Sequence, residues 1–168
     1  MKVLLARHGH ALAEGEDAHR ALSARGRELS VRIAAFLRTS GALGTARAVW
    51  HSPLRRARET AEVLVKELGL DAPLVETPGL LPADDPMAVA DRLERATDAV
   101  LIVGHEPQLS ALATLLVRGK VKPAGFAFRK SAVLALETTG GRHKKSGRSR
   151  WCACWQFSPE LLAAGDAD

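Results

Sequence analysis

The spacing of apolar residues along the chain predicts alternating strands and helices. Short apolar runs that stop abruptly at polar residues or glycine are typical of buried strands, whereas apolar residues recurring every three or four positions are typical of helices with one buried face. On this basis the predicted strands are residues 2–6, 46–50, 73–76, 99–103, 131–137 and 150–157. The predicted helices are residues 23–39, 52–68, 85–96 and 107–117.

Residues at the ends of the predicted helices support these boundaries. Ser23 is a favourable cap for the first helix, and Gly41 closes its apolar pattern. Ser52 followed by Pro53 predicts an N-cap with proline in the first helical position. Asp85, which also precedes a proline, predicts the N-cap of the third helix. The arginines that follow Ser52 would therefore lie in the first helical turn, beside the end of a strand.

The order of these elements predicts the fold class. Strands that alternate with helices favour a three-layer α/β/α sandwich, with a mostly parallel central sheet and helices on both faces. A chain of 168 residues has the size of one core, so we expect a single domain over residues 1–168. The Gly-rich, basic stretch at about 138–150 lacks periodicity, and we expect it to be a flexible loop.

Polar clusters follow three of the predicted strands. The clusters are Arg7-His8-Gly9, Ser52-Pro53-Leu54-Arg55-Arg56-Ala57 and Gly104-His105-Glu106-Pro107. Ligands of such sheets bind outside the carboxyl ends of the parallel strands, so the three clusters are expected to converge. Two histidines and two or three arginines would form a strongly positive pocket, and a dianionic phosphoryl group is the ligand that this pocket would stabilise best.

The clusters also predict a distinct role for each of their residues. His8 directly follows a strand, and a neutral imidazole in this cationic setting could attack phosphorus. Arg7 would hold the phosphate, while Arg56 and His105 would stabilise the charge on its oxygens during transfer. Gly9 would let the backbone approach the ligand closely. Water would then hydrolyse the phosphohistidine intermediate.

Several motifs together resemble a known family. They are Leu5-Ala6-Arg7-His8-Gly9-His10-Ala11, Arg20-Ala21-Leu22-Ser23-Ala24-Arg25-Gly26, the Ser52 to Ala57 cluster with Thr60-Ala61, Val103-Gly104-His105-Glu106-Pro107, and Trp155-Gln156-Phe157-Ser158-Pro159. The chain resembles the histidine phosphatase superfamily, with its phosphoglycerate mutase-like fold, and within it the small bacterial phosphohistidine phosphatases of the SixA type. The resemblance implies His8 as nucleophile, Arg7 and Arg56 as phosphate clamps, and His105 as the second pocket histidine. Arg56 rather than Arg55 matches the family's arginine.

One departure from the family pattern bears on the substrate. Many relatives that cleave phosphate esters carry a glutamate general acid after the third strand, where this chain offers only Asp84 and Asp85. Either could serve as general acid, but Asp85 is equally well explained as a helix cap. The lack of a clear acid favours a good leaving group, and phosphohistidine provides one.

These observations define the expected function and its rivals. We expect a phosphohistidine phosphatase that dephosphorylates a protein, such as a histidine-containing phosphotransfer domain in signal transduction. A phosphatase of small phosphate esters is the nearest alternative, and a catalytically silent module that binds phosphorylated partners is a third. We expect no cofactor and no metal, and the oligomeric state is left open.

Composition and charge limit the binding partners and the cellular location that we expect. The chain has 24 basic and 19 acidic residues, and five of the basic ones lie in the acid-free stretch 142–150. The rest is balanced, so the positive net charge does not imply nucleic-acid binding. The N-terminal apolar run is too short for a signal peptide or a membrane span, which predicts a cytoplasmic protein.

The cysteines and the remaining histidines are not expected to take part in the chemistry. Cys152 and Cys154 are expected to be reduced packing thiols. The bystander histidines are His10, His19, His51 and His143, although His10 is close enough to the pocket to touch a substrate.

Overall fold

A computed structural model describes residues 1–39 and 46–163 of the chain. In chain order its elements are β1 (Lys2–Arg7), α1 (Ala24–Thr39), β2 (Ala48–His51), α2 (Arg55–Leu68), β3 (Leu74–Glu76), α3 (Pro86–Glu94), β4 (Val100–Gly104), α4 (Gln108–Arg118), β5 (Val133–Arg142), β6 (Ser149–Phe157) and α5 (Glu160–Ala163). The predicted helices and strands are all present, with boundaries that move by a few residues. Gly41, the predicted end of the first helix, lies outside the described residues.

The strands form one sheet in the order β3-β2-β4-β1-β5-β6. The first four strands of this order are mutually parallel, whereas β5 runs antiparallel to β1 and β6 antiparallel to β5. The carboxyl ends of β1, β2 and β4 therefore meet at one edge, as the parallel arrangement requires. The predicted mixed α/β fold with a mostly parallel sheet is confirmed.

Both faces of the sheet are buried, which explains why β1 and β4 are apolar at every central position. Val3 and Leu5 of β1 pack with apolar residues of α3 and α4 on one face. Leu4 and Ala6 pack with α1 and α2 on the other face. A fully buried side chain of this size contributes about 1.5–3 kcal/mol relative to an exposed one, so the two layers of helices hold the strand ends rigidly.

The second helix begins later than predicted. α2 starts at Arg55, and Leu54 occupies the cap position without a side-chain hydrogen bond to the helix. The prediction of Ser52 as N-cap is therefore wrong. The Ser52 N–H donates to the carbonyl of Val103 at 3.0 Å, which keeps this residue in line with the end of β2.

The extent of the predicted loop at 138–150 is also wrong. β5 continues to Arg142 and β6 begins at Ser149, so only a turn of residues 143–148 separates the two strands. Acidic residues of α3 anchor this hairpin: Arg148 pairs with Asp91, and the Ser149 N–H donates to Glu94 at 2.8 Å. His143 is buried and shares a hydrogen bond between Nε2 and the carbonyl of Leu116 at 2.9 Å. These tertiary contacts stabilise the hairpin although its sequence has no periodic apolar pattern.

Candidate active site

The two histidines of the predicted pocket lie next to each other at the carboxyl edge of the sheet. The His8 N–H donates to the carbonyl of Gly104 at 3.0 Å, which joins the ends of β1 and β4. His8 and His105 are both buried, and their ring centroids are 4.7 Å apart. The parallel pairing of β1 with β4 thus brings together two residues that are 97 positions apart in the chain.

The environment of His8 fixes both its charge and its tautomer. Burial lowers the pKa of His8 most, and the charges of Arg56, Arg7 and Lys130 lower it further, to about 4, although the hydrogen bond that His8 donates to the Gly9 carbonyl opposes this shift. Its imidazole is therefore neutral near pH 7. Nδ1 lies 2.7 Å from the carbonyl oxygen of Gly9, which can only accept, so Nδ1 carries the proton. The lone pair is then on Nε2, which is the state that a nucleophile needs.

His105 is also held in the neutral state. Burial first, and then the charges of His8, Arg56 and Arg7, lower its pKa to about 3. Nε2 of His105 lies 2.9 Å from the Ser52 hydroxyl, and its Nδ1 is buried without a hydrogen-bond partner in the structure. If Ser52 donates to Nε2, Nδ1 carries the proton and can donate to a bound anion.

Arg7 is positioned by a carbonyl group from a distant loop. Its Nη1 donates to the carbonyl of Phe128 at 2.6 Å, and the N–H of Phe128 donates to the Glu106 carboxylate at 2.7 Å. The same carboxylate oxygen accepts from Ser110 of α4 at 2.6 Å. Glu106, which directly follows His105, therefore ties the segment before β5 to α4 and, through Phe128, to Arg7.

Arg56 reaches the two histidines from the first turn of α2. It is half-buried, and its charge lowers the pKa of both His8 and His105. Burial and the neighbouring charge of Arg20 lower the pKa of the Arg56 guanidinium itself. By contrast, Arg55 is exposed and pairs with Glu59 at 2.8 Å. The structure therefore supports the choice of Arg56 over Arg55 for the pocket.

Gly9 also has a packing role that the sequence did not predict. A Cβ at this position would lie 2.7 Å from the Leu22 side chain and 3.1 Å from the carbonyl oxygen of Gly26, so glycine is needed for packing against the N-terminus of α1. Its N–H is also engaged, because it donates to the Thr60 hydroxyl at 3.1 Å. Thr60 in turn donates to the carbonyl of Arg56 at 2.6 Å. Gly9 and Thr60 thus connect the loop after β1 to α2.

Both candidate general acids are engaged in local hydrogen bonds. The Asp85 carboxylate accepts from the N–H of Met87 at 2.9 Å, which confirms that Asp85 is the N-cap of α3. The Asp84 carboxylate accepts from the N–H of Leu81 at 2.8 Å within the same loop. Both aspartates line a surface cavity with Pro53, whereas neither acts on the pKa of His8 or His105.

Three general features of the described residues concern membrane spans, metal sites and cysteines. None of the described helices combines the length and apolar character needed to cross a membrane. Within residues 1–39 and 46–163 we find no group of three or more His, Cys, Asp or Glu residues arranged to hold a metal ion. Cys152 and Cys154 are free and exposed, so the prediction that they are packing thiols is wrong.

The first half of the chain matches the model of one protein family. The family model of the histidine phosphatase superfamily (branch 1) matches residues 3–81, a region that contains Arg7, His8 and Arg56 but not His105. Members of this superfamily are phosphatases that use a histidine nucleophile. The resemblance of the chain to the histidine phosphatase superfamily is thereby confirmed. No curated protein sequence matches the chain.

Solved structures extend the similarity over nearly the whole chain. The protein histidine phosphatase SixA, solved with tungstate, is 29% identical, with a TM-score of 0.79 over 96% of this chain and 99% of that one. A provisionally named phosphohistidine phosphatase SixA from Agrobacterium tumefaciens is 19% identical, with a TM-score of 0.72 over 94% and 97% of the two chains. A mycobacterial glucosyl-3-phosphoglycerate phosphatase shares the fold at 19% identity, with a TM-score of 0.64 over 94% and 99%.

Several residues of the site have roles that sequence reasoning missed. The Ser52 hydroxyl lies within hydrogen-bond distance of His105, and the Thr60 hydroxyl accepts from the N–H of Gly9. The Glu106 carboxylate accepts from the N–H of Phe128, and Arg20 adds a charge beside Arg56. All four belong to the motifs that carry the family resemblance, so a signal was available. Phe128 contributes a backbone carbonyl, for which no side-chain pattern exists.

Proposed function

We propose that this protein is a phosphohistidine phosphatase that dephosphorylates a protein. The observation that carries the proposal is the state of His8, whose proton is fixed on Nδ1 by Gly9 and whose Nε2 lone pair is available at neutral pH. Arg7 and Arg56 supply fixed positive charge beside it, and His105 supplies a further donor. This arrangement suits the capture and transfer of a phosphoryl group.

In the proposed reaction His8 Nε2 attacks the phosphorus of the substrate phosphohistidine. The substrate N–P bond breaks, and its electron pair stays on the departing nitrogen. In the phosphoimidazolium form of the substrate the other ring nitrogen carries a proton, so the leaving group departs from this form as neutral imidazole. Water then attacks the phosphorus on His8, the Nε2–P bond breaks with its electron pair returning to Nε2, and the proton lost by water leaves with phosphate or solvent.

The chemistry of the leaving group supports phosphohistidine over a simple ester. Departure of an alkoxide requires a general acid, whereas neutral imidazole does not. Asp84 and Asp85 each accept a backbone N–H, and neither contributes to the pKa shifts of His8 and His105. We also propose that turnover needs no metal, because the two guanidinium groups supply the positive charge that neutralises the transferring phosphoryl group.

The partner and the cellular setting are part of the same proposal. The similar SixA structure bears the name of a protein histidine phosphatase, which supports a phosphorylated protein, such as a histidine-containing phosphotransfer domain, as the substrate. A cytoplasmic role in signal transduction follows from that substrate class.

The test compares phosphate release from a phosphohistidine protein and from phenyl phosphate, with a chelator present throughout. We expect wild type to favour the phosphohistidine protein strongly and His8→Ala to be inactive on both. Arg56→Ala should retain activity lowered by about 10²–10³-fold, the scale for loss of one donor to a transition state. Arg55→Ala is the matched control, and it should stay near wild type because Arg55 is exposed and paired with Glu59.

Each rival predicts a different result in this assay. Equal or better cleavage of phenyl phosphate would favour a small-molecule phosphatase and make Asp84→Asn the next variant to measure. Saturable binding of the phosphoprotein without phosphate release would indicate a silent binding module. Full activity of His8→Ala would remove the proposed mechanism altogether.

A further inference from the structure

A basic cavity opens beside the phosphate pocket and is distinct from it. Its volume is about 630 Å³, and Arg7 is its only lining residue among the four proposed catalytic residues. His8, Arg56 and His105 do not line it. The cavity therefore starts at the phosphate clamp and extends away from the reacting atoms, over the N-terminal half of α1 and the segments flanking β5 and β6.

The charge of this cavity is strongly asymmetric. Its lining includes five basic residues, Arg7, Arg25, Arg32, Arg129 and Lys130, against the acidic Glu28 and Glu160. Glu160 already pairs with Arg129 at 3.5 Å and accepts from the Ser158 hydroxyl. Within the described residues neither Arg25 nor Lys130 makes an ion pair or a side-chain hydrogen bond. Their charges are available to a ligand.

The cavity also has an apolar component. Leu29, Pro159 and Leu162 contribute to its lining between the charged side chains. A surface that combines apolar contact area with charges that are mostly of one sign is suited to protein recognition, where charge selects the partner and apolar contact adds affinity.

From these observations we infer that the cavity is a docking surface for an acidic face of the protein that carries the phosphohistidine. The inference rests on the proposed function and names the chemistry of its partner. Acidic residues flanking the phosphohistidine would contact Arg25 and Lys130 while the phosphoryl group reaches Arg7 and His8. Arg7 is shared by the two sites, so docking and phosphate capture are continuous.

The test uses two synthetic phosphohistidine peptides that differ only in the residues flanking the histidine, which are glutamates in one and glutamines in the other. We expect wild type to show a kcat/KM about three- to tenfold higher for the Glu-flanked peptide, through a lower KM. This preference should shrink as salt is raised, because exposed charges are screened. Activity on 4-nitrophenyl phosphate, which has no flanking residues, measures the phosphate pocket alone.

Arg25→Glu and Arg27→Glu form a matched pair of variants. Both residues are exposed, lie in the first turn of α1 and lack ion pairs within the described residues, but only Arg25 lines the cavity. Arg25→Glu should abolish the preference for the Glu-flanked peptide and leave turnover of 4-nitrophenyl phosphate unchanged. Arg27→Glu should behave as wild type with all three substrates.

Three results would overturn the docking surface. Efficient cleavage of both peptides by wild type with no preference for either would leave the proposed function standing and remove the docking site. Equal losses in Arg25→Glu and Arg27→Glu would mean that net charge acts at long range. A loss of 4-nitrophenyl phosphate turnover in Arg25→Glu would assign the cavity to small anions. Failure of wild type to cleave either peptide, with 4-nitrophenyl phosphate still cleaved, would instead overturn the proposed function.

Discussion

At the scale of single residues, the behaviour of His8 depends on its surroundings more than on its own chemistry. A solvated histidine is partly charged near neutral pH, with a pKa close to 6.5. Here burial and three basic neighbours lower the pKa to about 4, so the imidazole is neutral over the whole physiological range. The Gly9 carbonyl then decides which nitrogen carries the proton. A hydrogen bond of 2.7 Å and a set of charges therefore leave this side chain neutral, with its lone pair on Nε2.

The lowered pKa predicts the acid limb of the pH profile. Since the nucleophile must be neutral, kcat/KM should lose its His8 contribution only as the pH falls through about 4, well below the ordinary value of histidine. Arg56→Met removes one of the charges that lower this pKa, so its acid limb should move to higher pH. The measurement is kcat/KM for 4-nitrophenyl phosphate from about pH 3 to about pH 8, corrected for ionisation of the substrate. An identical acid limb in wild type and Arg56→Met would show that the Arg56 charge does not act on the nucleophile.

At the scale of elements, the site depends on contacts between segments that are distant in sequence. Glu106 follows β4, and its carboxylate holds the N–H of Phe128 before β5 and the hydroxyl of Ser110 in α4. Phe128 passes this restraint to Arg7 through its carbonyl group. Glu106 is thus a positioning residue, because it acts on Arg7 through another residue.

This arrangement predicts different effects for two substitutions of Glu106. Glu106→Ala should weaken inhibition by tungstate and raise KM about tenfold, since Arg7 loses the restraint on its carbonyl partner and a buried N–H loses its acceptor. Glu106→Gln keeps an acceptor oxygen and should restore most of both values. Ser110→Ala removes only the bond to α4 and serves as the control, with tungstate inhibition near wild type. Equal losses in Glu106→Ala and Glu106→Gln would show that the negative charge, and not positioning of Phe128, is what the site requires.

At the scale of the whole molecule, keeping two buried histidines neutral has a consequence for stability. His8 and His105 have pKa values lowered to about 4 and about 3, whereas both would titrate near 6.5 in the unfolded chain. As the pH falls below about 6.5, the unfolded state takes up protons that the folded state does not. The stabilisation is therefore complete above pH 6.5 and is lost progressively as the pH falls toward the folded values.

The corresponding prediction concerns the free energy of unfolding. Wild type should lose a few kcal/mol between pH 7 and pH 4 from these two histidines, beyond any loss due to carboxylates. The double variant His8→Asn, His105→Asn should show a shallower decline over the same range. Urea unfolding at several pH values measures both slopes. His19→Asn is the control, because His19 is exposed and its replacement should leave the slope unchanged. Parallel slopes in wild type and the double variant would contradict the assignment.

Much of the fold could be predicted because local patterns report it directly. Periodic apolar residues, proline and glycine at element ends, and the alternation of strand and helix are consequences of backbone geometry and burial. They located the strands and helices of the described chain and placed Arg7, His8, Arg56 and His105 at one edge of the sheet. The length of the two strands in the β5–β6 hairpin was underestimated, because the hairpin's contacts with Asp91, Glu94 and Leu116 are tertiary and leave no local pattern in the sequence.

The sequence by itself determined the element order, the convergence of the basic clusters and the family resemblance, because each depends on residue types at fixed spacing. Only the tertiary structure determined the hydrogen bonds and the packing of the site residues. In the folded protein Ser52 contacts His105 instead of capping α2, and Gly9 packs against α1. The Phe128 carbonyl accepts a hydrogen bond from Arg7. Hydrogen bonds, burial and electrostatic shifts depend on distances between segments far apart in the chain. Those distances exist only when both faces of the sheet are packed.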